Sequence, residues 1–229
     1  CLFAAIQTRL VALGFQSDGQ IARRANIDMA LAASRPRLLD RNGQTLALDI
    51  QMQSLFAEPR RIENPDEIYE ALITVLPGLD YEKTIKRLRS DAGFVWIKRE
   101  ITPRQQSEIL SLGLPGVGFR EESKRFYPSA EVASHILGHT NIDNQGIAGI
   151  EKHLDDAWLG DLQSSGFVIK EDLQPVRLSI DLRVQHFVRD ALAEAMQKYR
   201  AIGAAGVVLD VHTGEIIAMA SLPDYDPNQ

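Results

Sequence analysis

The sequence predicts an α+β protein in which short helices and β-hairpins come first and a strand, a long helix and a second hairpin come last. Three observations support this prediction. Asn42-Gly43, a strong hairpin signal, separates two apolar runs. Capping residues open short apolar-periodic segments at Asn64, Asp80 and Thr102. An amphipathic pattern then extends from Leu182 to Arg200 and precedes two apolar runs that a turn separates.

Composition indicates a folded protein and excludes some classes of partner. The 229 residues are 45% hydrophobic and 24% charged, which is ordinary for a globular chain. The formal net charge of −6 argues against nucleic-acid binding, which needs a basic stripe. Cys1 is the only cysteine, so neither an internal disulfide nor a cysteine zinc cluster can form.

The first 15 residues, CLFAAIQTRLVALGF, are mostly apolar. They are too short to cross a bilayer, which takes about 20 apolar residues. Three interpretations are open: the outer end of an N-terminal membrane anchor, an amphipathic helix on the protein's own surface, or a lipoprotein that starts at a lipidated Cys1. Residues 16–34 show no clean periodicity and are interpreted as a connector.

The next elements follow from turn and capping chemistry. We expect Leu38-Leu39 and Leu46 to Ile50 to be strands around Asn42-Gly43, because both turn residues tolerate positive φ. The patterns then predict, in order, a helix at 64–76, a helix at 81–89, a strand at 93–100, a helix from 102 through 112 and a strand that begins near 117.

The second of these helices has a basic face. Lys83, Lys86, Arg87 and Arg89 are predicted to face water while Ile85 and Leu88 face inward. A charge run of this kind is usually a solvated face, and the alternative is a surface that meets an acidic partner.

The stretch from Arg125 to Gly160 concentrates turn residues around two short helices. Tyr127-Pro128 breaks the chain, since proline restricts its own φ and that of the residue before it. We expect Ser129 to cap a helix that Gly138 ends. A loop with Gly146 and Gly149 follows, and a second helix begins at Ile150 and ends at Gly160. Its apolar side is predicted to hold Leu154, Ala157, Trp158 and Leu159.

His135 and His139 are four residues apart, a spacing that can bind a metal on a helix. Gly138 stands between them at a predicted helix end, and no H-E-x-x-H pattern is present. We therefore interpret His135 as a hydrogen-bonded structural residue. A metal-dependent hydrolase that uses His135, His139 and Asp143 is the alternative.

The C-terminal part predicts a strand at 176–180, a helix capped by Asp181, and two strands at 206–211 and 215–221. His212-Thr213-Gly214 is expected to turn between these strands, and Gly203 to Gly206 to end the helix. The packed side of the helix is predicted to hold the following residues: Leu182, Phe187, Ala191, Leu192, Ala195, Met196 and Tyr199.

Several ordered motifs together resemble the non-catalytic pedestal of class B penicillin-binding proteins, followed by the start of their transpeptidase domain. The first motif is R-x-x-x-x-D-R-N-G-x-x-L-A from Arg35 to Ala47. Tyr-Pro, Ala-Ser-His-Ile-Leu-Gly and Asn-Ile-Asp-Asn-Gln-Gly-Ile-Ala-Gly-Ile-Glu follow, and then Ser-Ile-Asp-Leu-Arg-Val-Gln and Thr-Gly-Glu-Ile-Ile-Ala-Met. The motif positions are Arg35, Asp40, Arg41, Gly43, Arg125, Tyr127, Pro128, His135, Gly138, Gly146, Gly149, Glu151, Asp181, Gln185, Thr213 and Gly214.

The resemblance implies an elongated pedestal at 35–175, with an inserted part at about 55–120, and a transpeptidase start at 176–229. It favours a single-pass inner-membrane anchor at residues 1–15 and a periplasmic location for the rest. The sequence of residues 141–151 most resembles the corresponding motif of the division-specific septal transpeptidase. The elongation-type member and a free-standing interaction module are the alternatives.

The resemblance also implies partners. They are division proteins including a septal glycosyltransferase, the membrane, and peptidoglycan stem peptides for an intact enzyme; a dimer is possible, and no cofactor or nucleic acid is expected.

Within the motif set, we expect Glu151 to pair with Arg35 or Arg41, because an arginine can hold a carboxylate with two hydrogen bonds.

Catalysis is not expected from these 229 residues. Acyl transfer in this family needs S-x-x-K, S-x-N and K-[ST]-G motifs. No serine in the sequence begins S-x-x-K or S-x-N, and Lys83-Thr84 is followed by Ile85 instead of glycine. No residue is therefore assigned a catalytic role.

Overall fold

The computed structural model describes residues 35–165 and 174–229, and it confirms the predicted α+β class. The strands are β1 (Leu38–Leu39), β2 (Thr45–Ala57), β3 (Val95–Ile101), β4 (Val117–Phe126), β5 (Val176–Arg177), β6 (Ala204–Leu209) and β7 (Ile216–Leu222). The helices are α1 (Pro65–Val75), α2 (Tyr81–Leu88), α3 (Pro103–Ser111), α4 (Ser134–Leu137), α5 (Gly149–Ser165) and α6 (Leu182–Tyr199), with 3₁₀ turns at Pro59–Arg61 and Ala130–Ala133.

The chain forms two compact units. The inserted unit is Ile50–Lys124, and the split unit comprises the described residues up to Asp49 and from Arg125 onward. The chain passes from one unit to the other within β2 and again within β4. Residues 174–229 belong to the same unit as the first hairpin.

In the inserted unit, three capped helices pack on one face of a sheet. The predicted caps are confirmed: the side chains of Asn64, Asp80 and Thr102 accept hydrogen bonds from backbone N–H groups in the first turns of α1, α2 and α3. β3 runs antiparallel to β2, and β4 also pairs with β2. The core between helices and sheet includes Leu55, Ala57, Ile68, Leu72, Ile85, Leu88, Ile97, Ile101 and Ile109.

In the split unit, β1 pairs antiparallel with β2 and parallel with β5. The predicted hairpin is confirmed, but its turn is longer than a two-residue loop. Gly43 has a φ of +84°, Asn42 does not have a positive φ, and the Asp40 N–H donates to the Gln44 carbonyl oxygen at 2.8 Å. The longer turn is stabilised by Asp40, because its carboxylate accepts hydrogen bonds from the N–H groups of Asn42 and Gln44.

Two helix boundaries in the Arg125–Gly160 stretch were wrong. Ser129 does not cap with its side chain, because Ala130 has a φ of +46° and the chain enters a 3₁₀ turn before α4. The second helix does not end at Gly160 but continues to Ser165. One interior glycine costs a helix only about 1 kcal/mol, so the helix can continue through it. Leu154 packs against the core as predicted, whereas Ala157 is exposed.

In the C-terminal part, Asp181 caps α6 as predicted, and β6 and β7 form an antiparallel hairpin. Three expectations were wrong. β5 has only two residues, because the chain leaves β1 to begin α6. β6 begins at Ala204, two residues before the predicted strand, so that Gly206 lies inside it and against Val188 and Leu192 of α6. The helix face that packs on the hairpin excludes Phe187, Ala191 and Tyr199, which are exposed.

The interpretations of residues 1–15 as an anchor and 16–34 as a connector fall outside the described residues. Across 35–165 and 174–229, no helix combines the length and the apolar character needed to cross a bilayer.

Candidate functional site

A buried carboxylate joins the first motif to α5. Glu151, in the first turn of α5, is fully buried. One of its carboxylate oxygens accepts a 2.9 Å hydrogen bond from Nε of Arg35, and Nη2 of the same arginine donates to the Glu151 backbone oxygen at 2.7 Å. Of the two arginines that the sequence offered as partners, the structure brings Arg35 to Glu151 and leaves Arg41 elsewhere.

Arg125 reaches the second oxygen of the same carboxylate. Its Nε donates to Glu151 Oε1 at 2.8 Å, its Nη1 pairs with Asp49 at 2.9 Å, and its Nη2 donates to the Pro36 carbonyl oxygen. The side chain is completely buried. Segments that are far apart in sequence therefore meet at one carboxylate: the chain before β1, β2, the end of β4, and α5.

The loop before α5 is fixed to the same cluster. Nη1 of Arg35 donates to the Asn144 backbone oxygen at 3.0 Å and pairs with Asp155 at 2.5 Å. The Asn144 side chain donates to Asp49 at 3.2 Å. The cluster thus holds two arginines against the carboxylates of Glu151, Asp49 and Asp155, so each buried charge has a partner of opposite sign.

Glycines allow the loop to lie this close to its neighbours. Gly138 has a φ of +74°, and a Cβ on it would lie 1.9 Å from the Ala148 backbone oxygen. Gly149 and Gly146 make similar approaches, to Gly138 and to the Glu151 backbone. The three motif glycines are therefore required by backbone packing around Glu151.

This cluster positions chain segments and has no route to a substrate. Both carboxylate oxygens of Glu151 are occupied by arginines and the residue is inaccessible to solvent. A general acid or base must reach the proton that it transfers. The arrangement supports a clamp and gives no support to catalysis by Glu151.

A second cluster connects the first hairpin to α6. The fully buried Asp40 accepts the Leu182 N–H at 3.1 Å with the carboxylate that also holds the hairpin turn. The Asn42 amide donates to Asp181 at 2.9 Å, and the Arg41 N–H donates to the Ile180 carbonyl oxygen. One turn therefore holds the N-terminus of α6 through three separate contacts.

The pKa values of both carboxylates are lowered. Burial tends to raise the pKa of Asp40, but hydrogen bonds from Gln44, Leu182 and Asn42 outweigh it. The pKa of Asp181 is lowered chiefly by hydrogen bonds from Arg183 and Asn42. Both groups are therefore held in the ionised form, as the capping role requires.

Gln185 fixes the other side of α6. Its buried amide donates to the backbone oxygens of Val132 and Met219 and accepts the Met219 N–H at 2.8 Å. These bonds tie α6 to the Ala130–Ala133 turn and to β7. Gln185 thus completes the connection that Asp40 and Asp181 begin.

The side chains of the remaining motif residues lie outside the two clusters. Arg41 is partly exposed and pairs with Glu215 at 3.3 Å, and Thr213-Gly214 forms the turn of the second hairpin.

Tyr127 is buried, with its pKa raised by burial and by the charge of Glu151, while Pro128 is exposed. His135 lies with Nε2 3.2 Å from the Pro223 oxygen and its ring against Tyr225.

No metal centre is found in the part of the chain that the structure describes: no three His, Cys, Asp or Glu side chains there are grouped to hold an ion. His139 packs its ring edge-on to Tyr225, as His135 does. The spacing of the two histidines thus corresponds to contacts with one aromatic ring.

Sequence reasoning missed three residues of the Glu151 cluster, Asp49, Asn144 and Asp155, and also Asn228, which contacts Tyr127. Asp49 interrupts an apolar strand, and Asp155 lies one helical turn after Glu151 on the same helix face. Each position could have indicated a residue that joins the Glu151 cluster. Asn228 bonds both the N–H and the carbonyl oxygen of Tyr127, a contact that no local pattern indicates.

Comparison with known proteins agrees with this arrangement. Residues 30–161 match the family described as Penicillin-binding Protein dimerisation domain. The chain is 37% identical over 196 residues to a probable peptidoglycan D,D-transpeptidase FtsI of Caulobacter vibrioides, covering 86% of this chain and 32% of that protein. It is 33% identical over 220 residues to peptidoglycan D,D-transpeptidase FtsI of Escherichia coli, covering 86% and 37%.

A further relative and a solved structure are also similar to most of this chain. Stage V sporulation protein D of Bacillus subtilis is 31% identical over 249 residues, covering 99% of this chain and 38% of that protein. The crystal structure of penicillin binding protein 2X from Streptococcus thermophilus shares the fold, with a TM-score of 0.53 at 22% identity over 86% of this chain and 35% of that chain. The chain thus spans about a third of the length of these relatives. From the family match over more than half of its residues, the chain belongs to the penicillin-binding protein dimerisation domain family, as the pedestal region of a class B penicillin-binding protein.

Proposed function

We propose that this chain is the pedestal of a division-type peptidoglycan D,D-transpeptidase, where it positions the catalytic domain and binds division partners, including a septal glycosyltransferase. The observation that carries the proposal is the connection from Asp40 to the first turn of α6. A pedestal that positions a second domain needs fixed contacts to the first elements of that domain, and the Asp40 and Gln185 contacts supply them.

The proposed division of labour places residues 35–175 in the pedestal and residues 176–229 at the start of the transpeptidase domain. The acylable serine then lies in sequence that these 229 residues do not contain, since they hold no S-x-x-K motif. We propose a single-pass anchor at residues 1–15 and a periplasmic location for the pedestal. The relatives named FtsI support the septal role over the elongation role.

Labelling with a fluorescent penicillin tests the catalytic part of this proposal. The 229-residue chain is expected to remain unlabelled, and a protein that carries it together with an S-x-x-K domain is expected to label. Labelling of the 229-residue chain itself would contradict the assignment of the acylable serine to other sequence.

Localisation in dividing cells tests the septal part. A fluorescent fusion of the complete protein is expected to concentrate at midcell during constriction. A signal distributed along the side wall would favour the elongation-type alternative instead.

A further inference from the structure

The tip of the first hairpin carries a chemically labile dipeptide. Asn42-Gly43 is the only asparagine–glycine pair in the 229 residues, and both residues are exposed to water. In such a pair the glycine nitrogen reaches the asparagine side chain easily, because glycine has no side chain to hinder ring closure. Among the described residues, no atom beyond the two chain neighbours lies within 4 Å of where a Cβ on Gly43 would be. The surroundings therefore leave room for the ring.

The reaction open to this pair is a deamidation that consumes only water. The Gly43 backbone nitrogen loses its proton to solvent base and forms a bond to Cγ of Asn42. The bond from Cγ to Nδ2 then breaks, and the side-chain nitrogen takes up a proton and leaves as ammonia. Water opens the resulting succinimide ring at either of its two carbonyl carbons. Cleavage at Cγ leaves an aspartate at position 42, and cleavage at the backbone carbonyl carbon leaves an isoaspartate.

Contacts with α6 and with the turn oppose this reaction in the folded protein. Nδ2 of Asn42 donates to Oδ2 of Asp181 at 2.9 Å and to Oδ2 of Asp40 at 3.4 Å, which occupies both N–H groups of the amide. The attacking nitrogen is also occupied, because the Gly43 N–H donates to the Asp40 backbone oxygen at 3.1 Å. The reaction therefore requires that the hairpin tip first separate from α6 by a local opening.

Deamidation would place a third carboxylate beside two that are already ionised. Backbone N–H groups of Gln44 and Leu182 hold the charge of Asp40, and the first turn of α6 holds that of Asp181. A carboxylate at position 42 has no hydrogen to donate to either of them at neutral pH. An attraction thus becomes a repulsion between like charges, and the bond to Asp181 does not re-form.

We propose that Asn42 is a site of spontaneous deamidation that contact with α6 protects, and that the reaction makes a transient separation of the first hairpin from α6 permanent. The reaction itself follows from the contacts at the hairpin tip. Its consequence for a catalytic domain rests on the proposed function, in which these contacts fix the start of that domain. The Glu151 cluster shares no residue with the hairpin tip and stays intact in the modified chain.

Peptide mapping by mass spectrometry measures the rate of deamidation at Asn42. The 229-residue protein is incubated in mildly alkaline buffer, with and without guanidinium chloride. The rate is expected to rise at least about tenfold on unfolding, because the protecting hydrogen bonds are lost. Asn141 and Asn144 are followed by isoleucine and glutamine and are read in the same digests. They are expected to remain amides, since a side chain on the following residue hinders ring closure.

Asp181→Ser tests the contact with α6 separately. Serine is also a good N-cap, so it keeps the first turn of α6 capped, but it lacks the second oxygen that holds Asn42. Deamidation at Asn42 in the folded variant is expected to be about fivefold faster than in the wild type, because the amide has lost a bond to a charged partner. Asp80→Ser makes the same replacement at the N-cap of α2 and is the matched control, with an unchanged rate at Asn42.

Amide hydrogen exchange tests the consequence of the reaction. Asn42→Asp and Asn42→Ala both remove the hydrogen bond to Asp181, but only the aspartate adds a charge. The first-turn amides of α6 are expected to exchange faster in Asn42→Asp than in Asn42→Ala, and added salt is expected to reduce the difference. Amides around Glu151 are expected to exchange as in the wild type in both variants. Circular dichroism melting curves establish that each variant is folded.

Several results would overturn the proposal. They are an absence of product at Asn42 in the unfolded chain, equal rates in the folded and unfolded chain, equal rates in Asp181→Ser and the wild type, and equal exchange in Asn42→Asp and Asn42→Ala. Penicillin labelling and midcell localisation of the freshly made complete protein do not depend on deamidation. Any of these results with labelling and localisation intact would remove this inference and leave the proposed function standing.

Discussion

The carboxylate of Asp40 accepts a hydrogen bond from the backbone N–H of Leu182, 142 residues further along the chain. The same carboxylate accepts the N–H groups of Asn42 and Gln44 at 2.8 Å. One side chain therefore shapes the turn of the first hairpin and caps the start of α6. Because both segments depend on one acceptor, a change at Asp40 is expected to affect both.

Asp40→Asn tests this dependence. The substitution replaces one acceptor oxygen by an NH₂ donor and removes the charge, so at least one of the backbone N–H groups loses its partner. Hydrogen bonds to charged groups contribute about 1.5–3 kcal/mol each, and a decrease of that size in the free energy of unfolding is expected. Urea denaturation measures it. Asp190→Asn, at an exposed position on α6, is the control and is expected to change little.

Acid is expected to destabilise the split unit through Asp40 and Asp181. Both have folded-state pKa values below the ordinary value, so the unfolded chain binds protons more readily. Their contribution to stability is fully present above the unfolded pKa of about 3.9 and is lost as the pH falls through the folded values. The thermal midpoint of unfolding is therefore expected to decrease once the pH is below about 4. The thermal midpoint of Asp40→Asn should decrease less in acid than that of the wild type. An equal decrease in both proteins would contradict the role given to Asp40.

Glu151→Gln removes the charge between two buried arginines. Loss of one partner of a buried ion pair costs about 3–5 kcal/mol, and a decrease of that order in the free energy of unfolding is expected. The matched control is Glu215→Gln, whose pair with Arg41 is partly exposed and is expected to contribute less than about 1 kcal/mol. Equal effects of the two substitutions, measured by chemical denaturation, would remove the clamp.

Gly138→Ala tests the close approach of the loop before α5. The left-handed backbone costs an alanine about 1–3 kcal/mol, and its Cβ would collide with the Ala148 oxygen in addition. A lower thermal midpoint and faster proteolysis of the 141–149 loop are expected. Gly78→Ala has open space around it and no positive φ, so it is expected to leave the midpoint nearly unchanged.

Local sequence signals predicted most helix starts and the first hairpin. Asn64, Asp80, Thr102 and Asp181 each cap a helix where the sequence places them, because capping depends on residues within one turn. Strand lengths were less predictable. β4 was recognised only at its start, since Arg120 to Arg125 is charged and has no apolar alternation.

The partner of Glu151 could be narrowed to two arginines but not chosen by sequence. Arg35 and Arg41 have the same chemistry, and the choice depends on how β1 is oriented after folding. Asp49 was missed for the same reason, since its role depends on Arg125, 76 residues away. The exposure of Phe187 and Tyr199 was also unpredictable, because the helical pattern gives an apolar side without specifying what packs on it.

Amide hydrogen exchange of the wild-type chain and Asp40→Asn tests the central claim most directly, which is that the first hairpin holds the start of α6. Asn42, Gln44 and the first-turn amides of α6 are expected to exchange faster together in the variant, while the amides of α1 and α3 in the inserted unit are unchanged. Faster exchange confined to the hairpin turn, with Leu182 to Gln185 protected as in the wild type, would contradict the claim.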